Sequence, residues 1–480
     1  MHEREGAAGQ GLIVLDATQL HETIRASDGV EKRGGRVLHR YGNSVLIGDL
    51  PPSTAKQIGG TPGVLRHYTG KVEERPTRLT PTEALGINAW NLRQSREFEK
   101  VKKERPHDGL RWDATGIAAG PEPPDGPGME HVTETGPTQM AALFGTDMSL
   151  YLIGSVAVGL VLVQGPTTEL QFTEEERTKI VAECQEGLGW LALQEARANV
   201  SFAYDIQVIN IQVASDPALS GFEQRESRWR DPAIASLGFA PNMGGVASYV
   251  TSIRRRLGTK WGYAAFFTKY PVQHFAYALR PRLVMHYDND GWGPDNIDRV
   301  FTHETGHIFG APDEYASSNC SCEPKFGYLR EPNGNCQRCA TQFADCLMAA
   351  NTYALCPHTH VQFGWRDTDG DGALDPVDPA GNVPAFLDLG VLCAAFPGLC
   401  QIFGLSPGAG AAVRGVAGVG SVSPGADSVP ISLLRRVLAD VDMERVEAAI
   451  AAEEREYLAA LERKLRAVAD DLKRASGGRK

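Results

Sequence analysis

Residues 303–313 read His-Glu-Thr-Gly-His-Ile-Phe-Gly-Ala-Pro-Asp, and this stretch says more about the chain than any other. His303 and His307 are four residues apart, so a helix places both imidazoles on one face, where they can share one metal ion. Glu304 lies between them, and its carboxylate can reach a water on that ion without binding the metal. The spacing therefore predicts a helix that carries two metal ligands and a base.

Gly310 and Asp313 extend this pattern beyond the helix. Glycine adopts left-handed backbone angles without strain, so the chain can turn at Gly310 and return the Asp313 carboxylate to the ion. Two histidines, one carboxylate and an open position are the ligands of a catalytic zinc site. Zinc lowers the pKa of its water to about 7, and Glu304 can accept the proton of that water. The alternative is a surface helix with two solvated histidines.

The pattern over residues 303–313 resembles the metzincin motif, with Asp313 in place of the last histidine of that motif. Asp313 is followed by Glu314 and Tyr315, which makes the segment similar to the bacterial peptidases of the immune inhibitor A and snapalysin types. The resemblance implies a methionine turn below the zinc, for which Met348, 35 residues after Asp313, is the candidate. An ordinary core methionine is the alternative at this position.

Tyr315 and Tyr353 are candidates for stabilising the negative charge that develops on the carbonyl oxygen of a substrate. A phenolic hydroxyl close to that oxygen can donate a hydrogen bond to it. The sequence does not choose between the two tyrosines, and either can instead be a packing residue.

Strand and helix patterns alternate in the part of the chain before the motif. Residues 153–163 are rich in Val, Leu and Ile, as expected for a strand buried on both faces. Thr173 and Glu176 form a capping box, which predicts the start of a long helix. Further strands are predicted over residues 200–213, 262–268 and 282–287, and a second helix over residues 242–257. With the resemblance, this order predicts an α+β protein whose metzincin-like catalytic domain, over residues 149–380, has a twisted mixed sheet, a long backing helix and an active-site helix.

Composition divides the rest of the chain into further segments. Residues 1–75 predict a small α+β module, loosely similar to the βαββ inhibitory propeptides of secreted proteases. Residues 76–148 predict linker and irregular chain, and the Gly/Ala/Pro-rich residues 381–430 predict a second linker. Residues 431–480 predict a helical segment, which either folds back on the catalytic domain or, through residues 431–475, pairs with another helix in an oligomer.

Six of the nine cysteines lie within residues 320–356. An even cluster in a loop-rich stretch predicts a disulfide framework, whose pairing the sequence leaves open. The alternative is a second zinc site built from Cys320, Cys322, Cys336 and Cys339, although only one residue separates the first two. The disulfide interpretation favours an oxidising compartment.

Residues 367–378 place aspartates at positions 1, 3, 5, 9 and 12 of an EF-hand-like loop, with glycine at position 6. Hard oxygen ligands on a tight glycine turn suit calcium. Pro376 and Pro379 prevent an ordinary exiting helix, so the prediction is a single calcium loop. An acidic surface turn is the alternative. The candidate calcium ligands are Asp367, Asp369, Asp371, Asp375 and Asp378.

The overall composition narrows the partners and the location. The chain has 480 residues, a formal net charge of −11 and no basic tract, which argues against a nucleic-acid partner. No segment has the length and apolarity of a membrane span, and the first residues lack the pattern of a secretory signal. The cysteine cluster and the calcium loop nevertheless favour an extracellular or exported protein.

These features together predict a zinc-dependent endopeptidase that hydrolyses protein or peptide substrates, with Glu304 as general base. An alternative from a different class is a binding or adhesion protein that keeps the metal-stabilised fold without turnover. A further alternative is a metallo-amidase or a protease with one narrow target. Glu304 favours an enzyme, because a structural zinc site needs no base beside an open coordination position.

Overall fold

The computed structural model describes most of the chain up to residue 378. The described residues are 9–74, 76–115, 117, 148–219, 221–272 and 274–378. They belong to one mixed α/β unit that is built on a nine-stranded mixed sheet. The linker predicted over residues 381–430 and the helical segment predicted over residues 431–480 lie outside the described residues. No helix in the described part of the chain is long and apolar enough to cross a membrane.

The sheet combines a parallel centre with antiparallel edges. In chain order its strands are β1 (Gln10–Leu15), β2 (Arg36–Tyr41), β3 (Val45–Asp49), β4 (Val64–Tyr68), β5 (Ser155–Gln164), β6 (Ser201–Asn210), β7 (Trp261–Thr268), β8 (Ala276–Leu279) and β9 (Arg282–His286). Their order across the sheet is β4-β1-β3-β2-β6-β5-β7-β9-β8. The strands β2, β6, β5, β7 and β9 pair in parallel, whereas β8 and the strands β3, β1 and β4 pair antiparallel. A separate hairpin joins β10 (Lys325–Phe326) to β11 (Glu331–Pro332).

Helices cover both faces of the sheet. They are α1 (Leu20–Glu31), α2 (Pro52–Gln57), α3 (Pro81–Arg93), α4 (Arg96–Lys103), α5 (Glu174–Leu193), α6 (Phe222–Ser236), α7 (Met243–Leu257), α8 (Ile297–Ile308) and α9 (Pro357–Gln362). α3, α5 and α8 share one hydrophobic core with the sheet, which includes Leu160 and Phe202. α6 and α7 pack around Trp229 and Tyr249 in a second core, and α1 and α2 form a third with the N-terminal strands.

The central strands and the long helix agree with their sequence patterns. Every residue of β5 after Ser155 is buried, as expected for a Val-rich strand between two helical layers. The capping box at the start of α5 is formed, because the Thr173 side chain accepts from the backbone N–H of Glu176. The other predicted strands and the helix over residues 242–257 are also present, with small shifts at their ends. A mixed sheet with a long helix and a motif helix on one face is thus established.

Two glycines fix the position of α8, the helix that carries the motif. α8 follows a 3-10 turn, Pro294–Asn296, and packs against α5 and β8. Gly187 on α5 allows the helices to approach closely, because a β-carbon there would lie 2.2 Å from the carbonyl oxygen of Asp298. Gly310 has a φ of +91°, a left-handed angle at which the chain reverses after the helix.

The N-terminal strands belong to the same sheet as the rest of the unit. β2 pairs in parallel with β6, and Tyr41 lies opposite Tyr204. The rings of these two tyrosines stack with centres 4.6 Å apart, and Tyr41 is fully buried. The side chain of Arg36 adds a hydrogen bond to the carbonyl of Ala192 on α5. The described part of the predicted N-terminal module, residues 9–74, is therefore continuous with the central sheet.

The helices α3 and α4 correct the prediction of irregular chain over residues 76–148 for residues 81–103, whereas residues 118–147 lie outside the described residues. Both helices are capped, since the side chains of Thr80 and Ser95 accept backbone N–H groups of the first turns. Trp90 and Phe98 are buried in the main core. The sequence pattern does not reveal these helices, because short helices gain most of their stability from packing, and α3 packs on α5, which is distant in the chain.

Deletion of residues 1–75 is expected to prevent folding. The deletion would uncover the edge of β6. It would also remove buried side chains such as Leu12, Leu38 and Ile47, and burial of each stabilises the fold by about 1.5–3 kcal/mol. A few such losses approach the roughly 5–15 kcal/mol that stabilises a domain. Circular dichroism and gel filtration of the truncated chain test this, with deletion of residues 1–8 as control. A truncated chain that unfolds cooperatively and is more active would support a removable propeptide instead.

Candidate metal centre and active site

The side chains of the three predicted zinc ligands meet at one point. Nε2 of His303 lies 3.0 Å from Nε2 of His307. Oδ1 of Asp313 lies 3.1 Å from the first of these nitrogens and 3.2 Å from the second. The turn at Gly310 is what returns the chain, so that a residue beyond the helix completes the group.

Backbone carbonyls decide which nitrogen of each histidine faces this point. Nδ1 of His303 lies 3.0 Å from the carbonyl oxygen of Leu347, and Nδ1 of His307 lies 2.8 Å from that of Ala311. A carbonyl can only accept, so each Nδ1 carries a hydrogen, and in the neutral form of each ring the lone pair of Nε2 points toward the other ligands. Oδ1 of Asp313 is buried, and no hydrogen-bond donor faces it within the described residues. Three lone pairs therefore converge.

A positive charge between the three atoms stabilises this convergence, and either a proton or a metal ion supplies it. Burial opposes protonation of His307, but the Asp313 carboxylate raises the pKa of the imidazole to about 9. The same histidines hold the pKa of Asp313 well below its usual range in spite of burial. Zinc suits the group, since metal–nitrogen distances of about 2.0–2.1 Å place tetrahedral ligands about 3.3 Å apart. The observed spacing of 3.0–3.2 Å is close to that value.

Glu304 lies on α8 between the two histidines and is buried. Its Oε2 has no hydrogen-bond partner in the part of the chain that is described. Burial raises the pKa of this carboxyl, and the neighbouring His307 and His303 oppose the rise. Since a buried carboxylate without a donor is unfavourable, Glu304 is suited to accept a proton from a molecule beside the ligands.

Met348, the candidate for the methionine turn, packs against α8. It is fully buried, and its sulfur lies 2.8 Å from where Gly306 would carry a β-carbon. The preceding residue, Leu347, supplies the carbonyl that faces His303. The carbonyl of Met348 accepts from the backbone N–H of Glu314. This turn therefore contacts both the motif helix and the segment that follows the third ligand.

The structure separates the two tyrosine candidates. Tyr315 lies beside the ligands: burial raises the pKa of its hydroxyl, and the carboxylates of Asp313 and Glu304 add to that rise. Tyr353 instead donates its hydroxyl to Oδ2 of Asp298 at 2.9 Å. Tyr315 is therefore the candidate for stabilising charge on a substrate, and the prediction for Tyr353 is corrected to a structural role.

Trp112 belongs to the site, although it was not among the residues predicted from the sequence. Its Nε1 donates to the carbonyl of Leu347 at 2.7 Å, the same carbonyl that faces His303. Its indole also meets the imidazole of His303 edge-on, with ring centres 5.2 Å apart. Trp112 thus contacts both the ring of His303 and the carbonyl that orients this ring. No pattern marks this residue, because it lies far from the motif in the chain.

A buried group of charged side chains holds the first turn of α8. Asp298 accepts two hydrogen bonds from Arg105, at 2.5 and 2.6 Å, and lies 3.1 Å from Nζ of Lys102. Lys102 also pairs with Glu183 on α5. Burial opposes ionisation of Asp298, but Arg105 and Lys102 hold its pKa well below its usual range. Lys179 joins the group through Glu183 and Asp295, and loss of one partner would leave a buried charge unpaired.

The structure gathers part of the predicted calcium site. Three of the five aspartates bring one oxygen each within 4.8 Å of the others: Asp367, Asp369 and Asp371. Asp375 instead accepts from Nε of Arg366 at 2.7 Å and from the backbone N–H of Thr368 at 2.8 Å. Asp378 is buried and does not belong to this group. A cation here would thus be held by the first half of the loop.

The cysteine-rich stretch contains two disulfides, Cys320–Cys336 and Cys322–Cys339. The structure places these four sulfurs at bonding distance in two pairs, which favours the disulfide interpretation over the alternative second zinc site. Cys346 and Cys356 are buried thiols next to the Glu314 carboxylate.

Replacement of His303 or Asp313 by alanine is expected to remove zinc binding, because each supplies one of the three converging lone pairs. The loss of affinity should exceed the roughly 10–100-fold that follows removal of a residue that only orients a ligand. Metal analysis of the purified chain after dialysis against dilute zinc measures this. His21→Ala, at an exposed histidine of α1, is the matched control. Equal zinc content in the Asp313 variant would contradict the assignment of the third ligand.

Gly306→Ala is expected to lower the free energy of unfolding by about 1–3 kcal/mol, because the new methyl group would overlap the sulfur of Met348. Combination with Met348→Ala should cost less than the sum of the two single changes. Urea denaturation followed by circular dichroism measures all three variants. Gly59→Ala is the control, since a β-carbon there meets nothing within 4 Å. Additive effects would show that Met348 does not pack against this face of α8.

The site's geometry carries the functional argument by itself. No protein-family model matches the chain, and no curated protein or solved structure matches it. The resemblance noted for residues 303–313 therefore remains one of motif. The converging lone pairs, the unpartnered carboxylate of Glu304 and the turn at Met348 are the observations on which function is inferred.

Proposed function

We propose that the protein is a metzincin-type, zinc-dependent endopeptidase in which His303, His307 and Asp313 hold the metal. The observation that carries this proposal is the convergence of three fixed lone pairs beside the buried, unpartnered carboxylate of Glu304. A structural metal site would use a fourth protein ligand, and the described residues supply three. An open position next to a base is the arrangement of a hydrolytic site.

The roles of the side chains follow from where they lie. Bound zinc supplies Lewis-acid chemistry: it makes a water acidic and polarises a carbonyl. Glu304 accepts a proton from the attacking water and delivers it to the departing amine nitrogen. Tyr315, beside Asp313 and Glu304, donates its hydroxyl to the oxygen on which negative charge develops. Burial around the site strengthens each of these interactions.

The edge of the sheet supports a peptide as the substrate. β8 is the last strand on the side of the sheet where α8 packs, and it pairs on one side only, with β9. Tyr277, Ala278 and Leu279 in this strand are partly exposed. An extended peptide can add to such an edge by main-chain hydrogen bonds, which fixes the scissile bond beside the helix.

The location and the second metal are part of the same proposal. Two disulfides are compatible with an extracellular protein. Calcium bound by the group of Asp367, Asp369 and Asp371 would suit that environment, because calcium sites of extracellular proteins can have low affinity and still be filled.

Glu304→Gln is expected to lower the rate of peptide hydrolysis by about 10²–10⁴-fold, because the variant loses the group that accepts the proton. Its zinc content should stay near that of the wild type, since Glu304 is not among the three ligands. Cleavage of casein and of a quenched peptide library, with metal analysis of the same samples, measures both effects. Glu97→Gln, at an exposed residue of α4, is the control.

Two outcomes would contradict the proposal. A wild-type chain that holds one zinc and cleaves no peptide would support the non-catalytic binding or adhesion protein. Equal activity in wild type and Glu304→Gln would show that another group acts as the base.

A further inference from the structure

We propose that Cys346 and Cys356 form a third disulfide, which closes the loop that contains Met348 beneath the zinc ligands. The sequence predicts a disulfide framework but leaves its pairing open, and in the structure Cys346 and Cys356 are free thiols. Its effect on the metal centre rests on the proposed function, whereas the bond itself does not.

The two thiols lie within reach of each other. Both are fully or almost fully buried, and their sulfurs lie within 4.8 Å of each other and of the Glu314 carboxylate. The hydroxyl of Thr359 is 3.3 Å from the sulfur of Cys346 and 3.4 Å from that of Cys356. The two sulfurs therefore flank one hydroxyl group, and rotation about the side-chain bonds is the movement that joins them.

The backbone of the intervening segment already forms a closed loop. The N–H of Leu347 donates to the carbonyl of Ala354 at 2.7 Å. The N–H of Cys356 faces the sulfur of Cys346 at 3.4 Å. These contacts hold the ends of the segment together, so a covalent bond between the sulfurs requires little change of the main chain.

The surroundings favour a disulfide over a second metal ion. Glu314 has its own donors, because Oε2 accepts from Asn335 at 2.7 Å and Oε1 accepts from Thr359 at 3.2 Å. The carboxylate therefore stays satisfied after Cys356 loses its hydrogen. The same stretch of chain contains two disulfides, so conditions that form those bonds also oxidise a neighbouring pair of thiols.

The reaction is thiol–disulfide exchange with a small disulfide such as oxidised glutathione, or with a protein disulfide. The thiolate of one cysteine attacks the external disulfide, which gives a mixed disulfide and releases one thiol. The second cysteine attacks the protein sulfur of the mixed bond and releases the other thiol. The pair loses two electrons and two protons, and the external disulfide becomes two thiols. Burial raises the pKa of the Cys346 thiol, so the exchange takes place while the chain folds.

The bond would restrain the part of the chain that supports the first zinc ligand. Leu347, next to Cys346, supplies the carbonyl that faces His303, and Met348 packs against Gly306. A crosslink between the two ends of this loop restricts the conformations of the segment that makes both contacts. The restriction applies in the unfolded chain and in the partly opened chain.

Peptide mapping of the full chain tests the bond directly. The chain is folded with oxidised glutathione, denatured without reductant, treated with iodoacetamide and digested. Chymotrypsin cleaves after Phe343 and Tyr353, which separates Cys346 from both Cys339 and Cys356. The expected product is a linked pair of peptides whose mass is two hydrogens below the sum of the separate thiol peptides. This measurement needs no activity, so its failure is distinct from failure of the proposed function.

Three results would overturn the proposal. One is alkylation of both cysteines after folding with oxidised glutathione. Another is a linkage of either residue to a different cysteine. The third is a chain that keeps both thiols and binds a second zinc ion, which would assign Glu314, Cys346 and Cys356 to a metal site.

The consequence for the metal centre is measured with Cys346→Ala/Cys356→Ala. Under oxidising conditions this variant should lose zinc to a chelator roughly tenfold faster than the wild type, as for loss of a group that supports a ligand. Its Tm should fall by roughly a few degrees. Cys184→Ala, at a buried thiol of α5 away from the turn, is the control. Zinc release at the wild-type rate would contradict the supporting role of the bond.

Discussion

Three lone pairs directed at one another set the chemistry of this protein. Nε2 of His303, Nε2 of His307 and Oδ1 of Asp313 repel each other unless a proton or a metal cation lies between them. In a flexible chain such groups would turn toward water. Here two backbone carbonyls orient the rings, and the left-handed angle at Gly310 returns the aspartate. Because the three ligand atoms are already in place, a cation that binds is attracted by all three without reorganisation of the site.

The charged group around Asp298 explains how the motif helix keeps this arrangement. A buried ion pair adds little net stability compared with apolar residues of the same size, yet it is costly to break one partner at a time. Such a group therefore favours one packing of α4, α5 and α8 over alternative packings of the same helices. Tyr353 connects Asp298 to the loop after Met348, and Trp112 connects Leu347 to the first ligand. One continuous set of contacts thus positions both the helix and the turn that hold His303.

The sequence predicts what depends on local spacing. A separation of four residues places His303 and His307 together on any helix, and a capping box starts α5 wherever that helix packs. It does not predict contacts between distant segments, which is why Trp112 and the helices α3 and α4 were missed. The calcium pattern shows that local spacing can also predict a ligand that the folded chain uses in another way. Spacing places Asp375 among the ligands, but Arg366 and Thr368 bind its carboxylate.

The continuity of the sheet changes how latency in such a protein must be understood. An inhibitory segment that is released must separate without exposing the core or removing part of the site. Here β2 pairs with β6 in the central sheet, Arg105 neutralises Asp298, and Trp112 supports His303. The strand β2 thus belongs to the scaffold of the sheet, and Arg105 and Trp112, which follow the N-terminal module in the chain, belong to the scaffold of the candidate metal centre.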